Sequence, residues 1–494
     1  MRRRSFLASM IPMVSPALGE VSGHEKAVRE AIAAILQETD RAERDTERPI
    51  YHFHPPARFL ADPCGILLEN GWYHLFYQTN PYASVWERAH WGHARSRNLV
   101  DWEHMPIALA PEPQLAQYHT FTGTAWRRTD GAVLLFYQSI GNGRSVRVAH
   151  PVDPLWFRFE KSERELVSET THAPYAFYDW GDPNLFVESG RTFMVCGGNA
   201  RRSGGKAVLH LYEATTPDLM EWRHVGPVFS HPDRAAITLE CAGLLRMGRK
   251  WVLTDCAYRP CEYYVGDFDL DRGTFQLERY GVLDAGLAYA GRLIPMPDGT
   301  VMAWQYITTN LPPTSSWNNV MGIPRTVVLD EDGTLRQFPL QQFESLRGKK
   351  STLDAFEIAN ETRRLPPAFA GAALELKTTL RALTAKVMGV RLRCGAVGKY
   401  GVEVLYRSGA GSLSVNQRFA FYTRSQSIPL RIFLDRRVVE VYTDDGLVAL
   451  ATNLAADPED LGIEVFAEEG KAAVESLECW PMSPAQFSLE YFSF

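Results

Sequence analysis

Apolar residues recur at Val28, Ile32, Ile35 and Leu36 with charges between them, a spacing that predicts one amphipathic helix from Glu25 to about Glu43. From Tyr51 onward the period drops to two. The run Ile66 to Gln78 alternates apolar and polar positions around Asn70-Gly71, the strongest short-range hairpin signal. Just before that hairpin stands Ala61-Asp62-Pro63-Cys64-Gly65. A lone Asp-Pro reads as the start of a turn. Here the same arrangement returns along the chain.

Five segments share one grammar: polar or small residues at a strand entry, a glycine turn, then a strongly apolar strand. The entries are Ala61-Asp62-Pro63, Phe121-Thr122-Gly123, Gly181-Asp182-Pro183, Leu239-Glu240-Cys241 and Tyr289-Ala290-Gly291. The turn glycines stand at 71, 131, 190, 248 and 299, spaced by 60, 59, 58 and 51 residues. Each interval has room for four short antiparallel strands, the content of one propeller blade. The pattern therefore predicts an all-β chain with a five-bladed β-propeller from about 50 to 345. After Lys350 the blade grammar stops. Seven or so alternating segments, from Ala373–Leu380 to Ile463–Ala467, predict a β-sandwich over 355–494. Residues 1–49 form an N-terminal segment that holds the helix.

Composition narrows the function classes. With 45 % apolar and 22 % charged residues, the 494-residue chain has the makeup of a globular protein with a full core. A net charge of −6, with basic residues scattered, argues against nucleic-acid binding. No apolar run of about 18 residues predicts a membrane span. The seven cysteines are spread without CxxC pairs, so buried free thiols are expected rather than zinc or a disulfide framework. Arg3-Arg4-Ser5-Phe6-Leu7 reads either as a twin-arginine-like export signal or as the basic start of a cytoplasmic protein.

The repeat gives three acids a common geometry. Asp62, Asp182 and Glu240 lie eight or nine residues before their turn glycines, so all three face one end of a central channel. Converging carboxylates are costly unless one stays protonated or all are hydrogen-bonded, which points to function. Two chemistries suit the trio: glycoside cleavage by one ionised and one protonated carboxyl, and a divalent-metal site built on oxygen ligands. No D-x-D loop or partnered His-x-His accompanies the acids, so sugar cleavage is expected and a metal is not. Trp86, Trp91, Phe121, Tyr178 and Trp180 are the aromatics placed to stack on sugar faces.

The block from Asp62-Pro63 through Phe76-Tyr77-Gln78-Thr79-Asn80-Pro81, His90-Trp91-Gly92-His93 and Asp101-Trp102-Glu103 resembles glycoside hydrolase family 32, the invertase, levanase and inulinase family. The resemblance continues at Asp182-Pro183, Glu240-Cys241, Ile323-Pro324-Arg325 and Asp435-Arg436-Arg437-Val438-Val439-Glu440, and covers about residues 50–490. It implies a five-bladed propeller followed by a β-sandwich, and retaining cleavage of β-fructofuranosides without a cofactor. It also implies Asp62 as nucleophile, Glu240 as general acid/base and Asp182 as transition-state stabiliser, with Gln78, Trp86 and Thr122 in support. A fructosyltransferase of the same fold and a catalytically impaired carbohydrate-binding protein are the alternatives. The chain departs from the family pattern at Ala61 and Cys64, where Asn flanks the nucleophile motif, and at Gly181, where Arg precedes the stabilising Asp. It departs again at Leu239 and Ala242, where the family has Trp and Pro.

Overall fold

The computed structural model describes residues 22–172, 177–200, 206–396, 398–423 and 426–494. The Arg3-Arg4 segment lies outside them. Among the described residues no helix is long and apolar enough to cross a membrane.

The predicted helix spans Gly23–Glu43 and opens on Ser22, whose side chain accepts the Glu25 N–H at 3.1 Å. Its buried face is Ala31, Ile32, Ile35 and Ala42, packed on Ile107, Trp317, Val438 and Phe492. Leu36, expected on that face, is turned outward.

Residues 58–339 form a β-propeller of successive antiparallel sheets. The first holds Arg58–Glu69, Trp72–Asn80, His90–Ser96 and Trp102–Leu109, and the second starts at Gln117–Arg127. The third, fourth and fifth begin at Phe177–Glu188, Glu240–Met247 and Ala288–Pro295. These five inner strands touch one another in cyclic order, and the last returns to the first. Cores lie between neighbouring sheets; Cys64, Phe76, Trp91, Leu135 and Tyr137 fill the space between the first and second. Each repeat glycine, Gly71, Gly131, Gly190, Gly248 and Gly299, has a positive φ, the conformation that makes glycine the turn residue. Asn70 joins Gly71 at positive φ, as a type I′ hairpin requires.

Every inner strand is also bulged near its entry. Pairing slips between Leu60 and Gly65, Phe121 and Gly123, Tyr178 and Asn184, Glu240 and Gly243, and Tyr289 and Arg292. A bulge bends the strand and re-aims a side chain. Asp182, Cys241 and Ala290 take positive φ at these points. The repeat read in the sequence is therefore accompanied by a repeated distortion of the backbone.

The C-terminal part is one sandwich-like 11-stranded sheet around its own apolar core. The 20-residue strand Gly462–Pro481 runs through it. Its first half pairs with Val387–Cys394 and its second half with Ala373–Ala382. The break falls at Glu469 and Gly470, both at positive φ. Only the first half was legible as a strand in the sequence. The tail returns to the propeller, where Phe487–Ser488 adds in parallel to the outer edge of the first sheet.

Candidate active site

The bulges deliver Asp62, Asp182 and Glu240 to one cavity of about 590 Å³ that residues of all five inner strands line. Asp62 is the most heavily hydrogen-bonded of the three. Its Oδ2 accepts from Thr122 Oγ1 at 2.5 Å, Gln78 Nε2 at 3.2 Å and Cys241 Sγ at 3.4 Å. Thr122 occupies in the second repeat the position that Asp62 holds in the first, so the two bulges face each other. Burial pushes the Asp62 carboxyl above its ordinary value, against the bonds from Thr122 and Cys241 and the charge of Arg292.

Asp182 accepts the Cys241 N–H at 2.8 Å on Oδ2, while its buried Oδ1 has no partner. Burial, reinforced by the Asp62 charge, raises its carboxyl to about 6. Glu240 accepts from the Tyr289 hydroxyl at 2.8 Å and is also bonded by Tyr258. Burial and then the Asp182 charge raise it to about 7. Burial thus raises all three carboxyls, while the bonds and charges that oppose it differ from one to the next. Arg292, at the bulge of the fifth sheet, is buried with all three guanidinium nitrogens unpartnered, and it supplies positive field beneath the cluster without an ion pair.

The aromatics divide into two groups. Trp86 is half exposed on the rim, stacked with His119 at 5.2 Å, and Phe121 lines the cavity beside it. Trp91 is fully buried and donates Nε1–H to the Phe121 carbonyl at 2.9 Å, so it holds Phe121 from behind and offers no face to a ligand. Trp180 is likewise buried, bonded to the Tyr212 hydroxyl. The Tyr178 side chain lies outside the described part. Gln78 and Thr122 are buried and reach Asp62 rather than the open cavity.

Gly181 has a physical counterpart on the neighbouring sheet. A Cβ there would meet the Gln138 amide at 2.0–2.2 Å, and Gln138 donates to the Trp180 carbonyl at 2.5 Å. Beside it Arg144 enters the same cavity, bonded to Asp179 Oδ1 at 3.0 Å. The second sheet thus brings an arginine to the cavity where the third presents only a glycine. Arg144 and Tyr258 lie on or next to hairpin connections and carry no repeat signal. Tyr289 stands in the fifth repeat segment, one residue before the position that the acids hold in theirs, and that segment was the available clue.

Residues 52–339 match the glycosyl hydrolases family 32 N-terminal domain, and residues 342–481 match the family 32 C-terminal domain. The chain belongs to glycosyl hydrolase family 32. It is a glycoside hydrolase. Among its relatives, the levanase of Bacillus subtilis is 26 % identical, the match covering 88 % of this chain and 70 % of that protein. The sucrose-6-phosphate hydrolase of Zymomonas mobilis is 25 % identical, covering 89 % of this chain and 93 % of that one. In fold, fructan 1-exohydrolase IIa of Cichorium intybus superposes with a TM-score of 0.81 at 19 % identity, over 90 % of this chain and 99 % of that one.

Proposed function

We propose that this family 32 protein is a retaining β-fructofuranosidase that cleaves sucrose, fructo-oligosaccharide or fructan by double displacement. The observation that carries the reading is the cluster of Asp62, Asp182 and Glu240, brought together from three separate bulged strands, with Glu240 raised to about 7. Asp62 is the nucleophile. Its carboxylate attacks the anomeric carbon, and the bonds from Thr122, Gln78 and Cys241 hold the attacking group in place. Glu240, protonated below about pH 7, gives its proton to the departing oxygen. The fructosyl ester on Asp62 is then opened by water, from which Glu240 takes the proton back. Asp182 binds the fructosyl hydroxyls, using the Oδ1 that no protein group occupies. Trp86 and Phe121 form the wall toward the leaving group, and Gln78 and Thr122 act through Asp62.

The five sheets are read as the five blades of one propeller, supported by the cyclic contacts of the inner strands and the cores between neighbouring sheets. The division of the chain at 345–355, with a sandwich domain after it and the helix-bearing segment before residue 50, is supported by the separate apolar core of residues 358–479.

The test is a panel of sucrose, kestose, inulin, levan and sucrose 6-phosphate, assayed for released fructose with the unmodified protein and with Asp62→Asn. Release by the former alone, with β-fructose as the first anomer seen by NMR, is expected. Transfer exceeding release at high sucrose would make the protein a fructosyltransferase. Turnover of no member would leave a carbohydrate-binding protein.

A further inference from the structure

A second cluster of ligating side chains lies between the third and fourth sheets, outside the catalytic cavity. His231 follows the last strand of the third sheet, Trp222–Ser230. Asp255 and Glu262 stand opposite each other at the mouth of the hairpin formed by Lys250–Cys256 and Glu262–Asp269. All three are buried, and one ligand atom from each lies within 4.8 Å of the others.

Like charges directly opposite on neighbouring strands are destabilising, so this carboxylate pair needs an explanation. Glu262 has one. Its Oε1 accepts from Tyr280 at 2.6 Å and lies 3.2 Å from Arg259 Nε, while Oε2 meets His231 Nε2 at 3.0 Å and the Tyr264 hydroxyl at 2.9 Å. Asp255 has none. It is 0 % exposed, it points into the cluster, and among the described residues neither of its oxygens has a hydrogen-bond partner. A buried carboxylate without donors is costly unless a cation or a proton sits on it.

The ligand atoms of the three residues lie within 4.8 Å of one another, and His231 Nε2 is 3.0 Å from Glu262 Oε2, close enough for one ion to bridge them. The Asp233 backbone packs against the other ring nitrogen, its N–H 3.0 Å and its carbonyl 3.2 Å from His231 Nδ1. We propose that His231, Asp255 and Glu262 bind one divalent transition-metal ion. One imidazole with two carboxylates is a donor set suited to Zn²⁺ or Mn²⁺.

The ion would be structural. It joins the third sheet to the fourth and closes the hairpin mouth whose loop carries Tyr258. Tyr258 bonds Glu240 and gives its backbone N–H to the Tyr289 hydroxyl at 3.1 Å, so the same ion steadies both groups on Glu240. It takes no part in bond cleavage.

The experiment uses the untagged full chain, stripped with EDTA and titrated separately with Zn²⁺ and Mn²⁺. Calorimetry should show one equivalent bound for at least one metal, with a rise of several degrees in melting temperature. Asp255→Asn, which relieves the opposed charges and should still fold, should lose both effects. If that variant fails to fold, His231→Gln gives the same readout. Failure of the wild type to bind either metal, or equal binding by a folded variant, overturns the site. Because nothing is read from turnover, the result stands apart from the roles assigned to Asp62 and Glu240.

Discussion

Two of the places where this molecule buries acidic side chains treat them in opposite ways. At the junction of propeller and sandwich, Asp435 accepts the N–H groups of Ile50, Tyr51 and His52 at 2.8–3.0 Å and the His52 ring at 2.9 Å. Glu440 accepts from His52 Nε2 at 2.9 Å, the Ile323 N–H at 2.7 Å and the Tyr442 hydroxyl. Arg325 bridges Asp284 at 2.7 Å and Glu440 at 3.4 Å. Burial would raise Glu440 and lower His52, but the paired charges win. Glu440 lies below its ordinary value and His52 rises to about 9. In the catalytic cavity burial wins instead, and all three carboxyls are raised. The acids at the junction come with their counter-charges; the acids proposed to act on a ligand are left short of them.

The sharpest test of this contrast is to remove one acid from each cluster. Asp62→Asn should cost on the order of 10³-fold or more in kcat and leave the melting temperature within a few degrees. Glu440→Gln leaves His52 and Arg325 short of a buried partner, and should cost about 3–5 kcal/mol of stability, read by denaturant unfolding. The junction also predicts a pH limit. His52 is raised from 6.5 to about 9, so its contribution is complete below pH 6.5 and disappears as pH rises through about 9. Glu440 is depressed, so its contribution is present above about pH 4.5 and is lost as pH falls through its folded value. Equal loss of stability from Asp62→Asn and Glu440→Gln would erase the distinction.

Asp182 sharpens the comparison from the other side. Its carboxyl moves from 3.8 to about 6 on folding, a cost of up to about 3 kcal/mol that is complete above pH 6 and absent below 3.8. Asp182→Asn should therefore abolish sugar release while raising the melting temperature at pH 7.5. That gain should vanish at pH 4. Unchanged or lower stability at pH 7.5 would mean that the buried Oδ1 is satisfied after all.

How much of this was legible in the chain follows from the same physics. The repeat placed the three acids on equivalent strands, and equivalent strands become equivalent in space, so Asp62, Asp182 and Glu240 could be grouped across 178 residues of sequence. It could not reveal the bulges, which depend on cross-strand register. Nor could it separate Trp86 from Trp91, since both sit in aromatic-rich stretches and only packing turns one to the rim and the other to the core. Phe356–Arg364 escaped detection as a strand because only Ile358 is buried in it, leaving no alternation to read. Arg144 opens a strand just after a hairpin connection and Tyr258 lies in one, where tertiary contacts set the path of the chain.

Arg144 tests whether the cavity has moved a contact from one sheet to another. With Gly181 beside it and the charge of Asp179 to orient it, Arg144 is placed to bond a sugar hydroxyl. Arg144→Ala should raise KM with little change in kcat, by a factor equivalent to about 1.5–3 kcal/mol, the range for a hydrogen bond to a charged group. An unaltered KM on every active fructoside would confine Arg144 to its pair with Asp179.

The smallest effect concerns Tyr289, and it separates positioning from chemistry. Its hydroxyl stabilises ionised Glu240 and so holds that carboxyl lower than burial alone would. Activity that needs protonated Glu240 falls as pH rises through about 7. Removing the hydroxyl in Tyr289→Phe takes away a bond to the ionised form, so the alkaline limb of kcat/KM should move to higher pH. The acidic limb, set by ionisation of Asp62, should stay in place. A shift of both limbs together would point to a general rearrangement of the cavity. A shift of the alkaline limb alone would tie the proton affinity of Glu240 to the phenol that the fifth sheet places beside it.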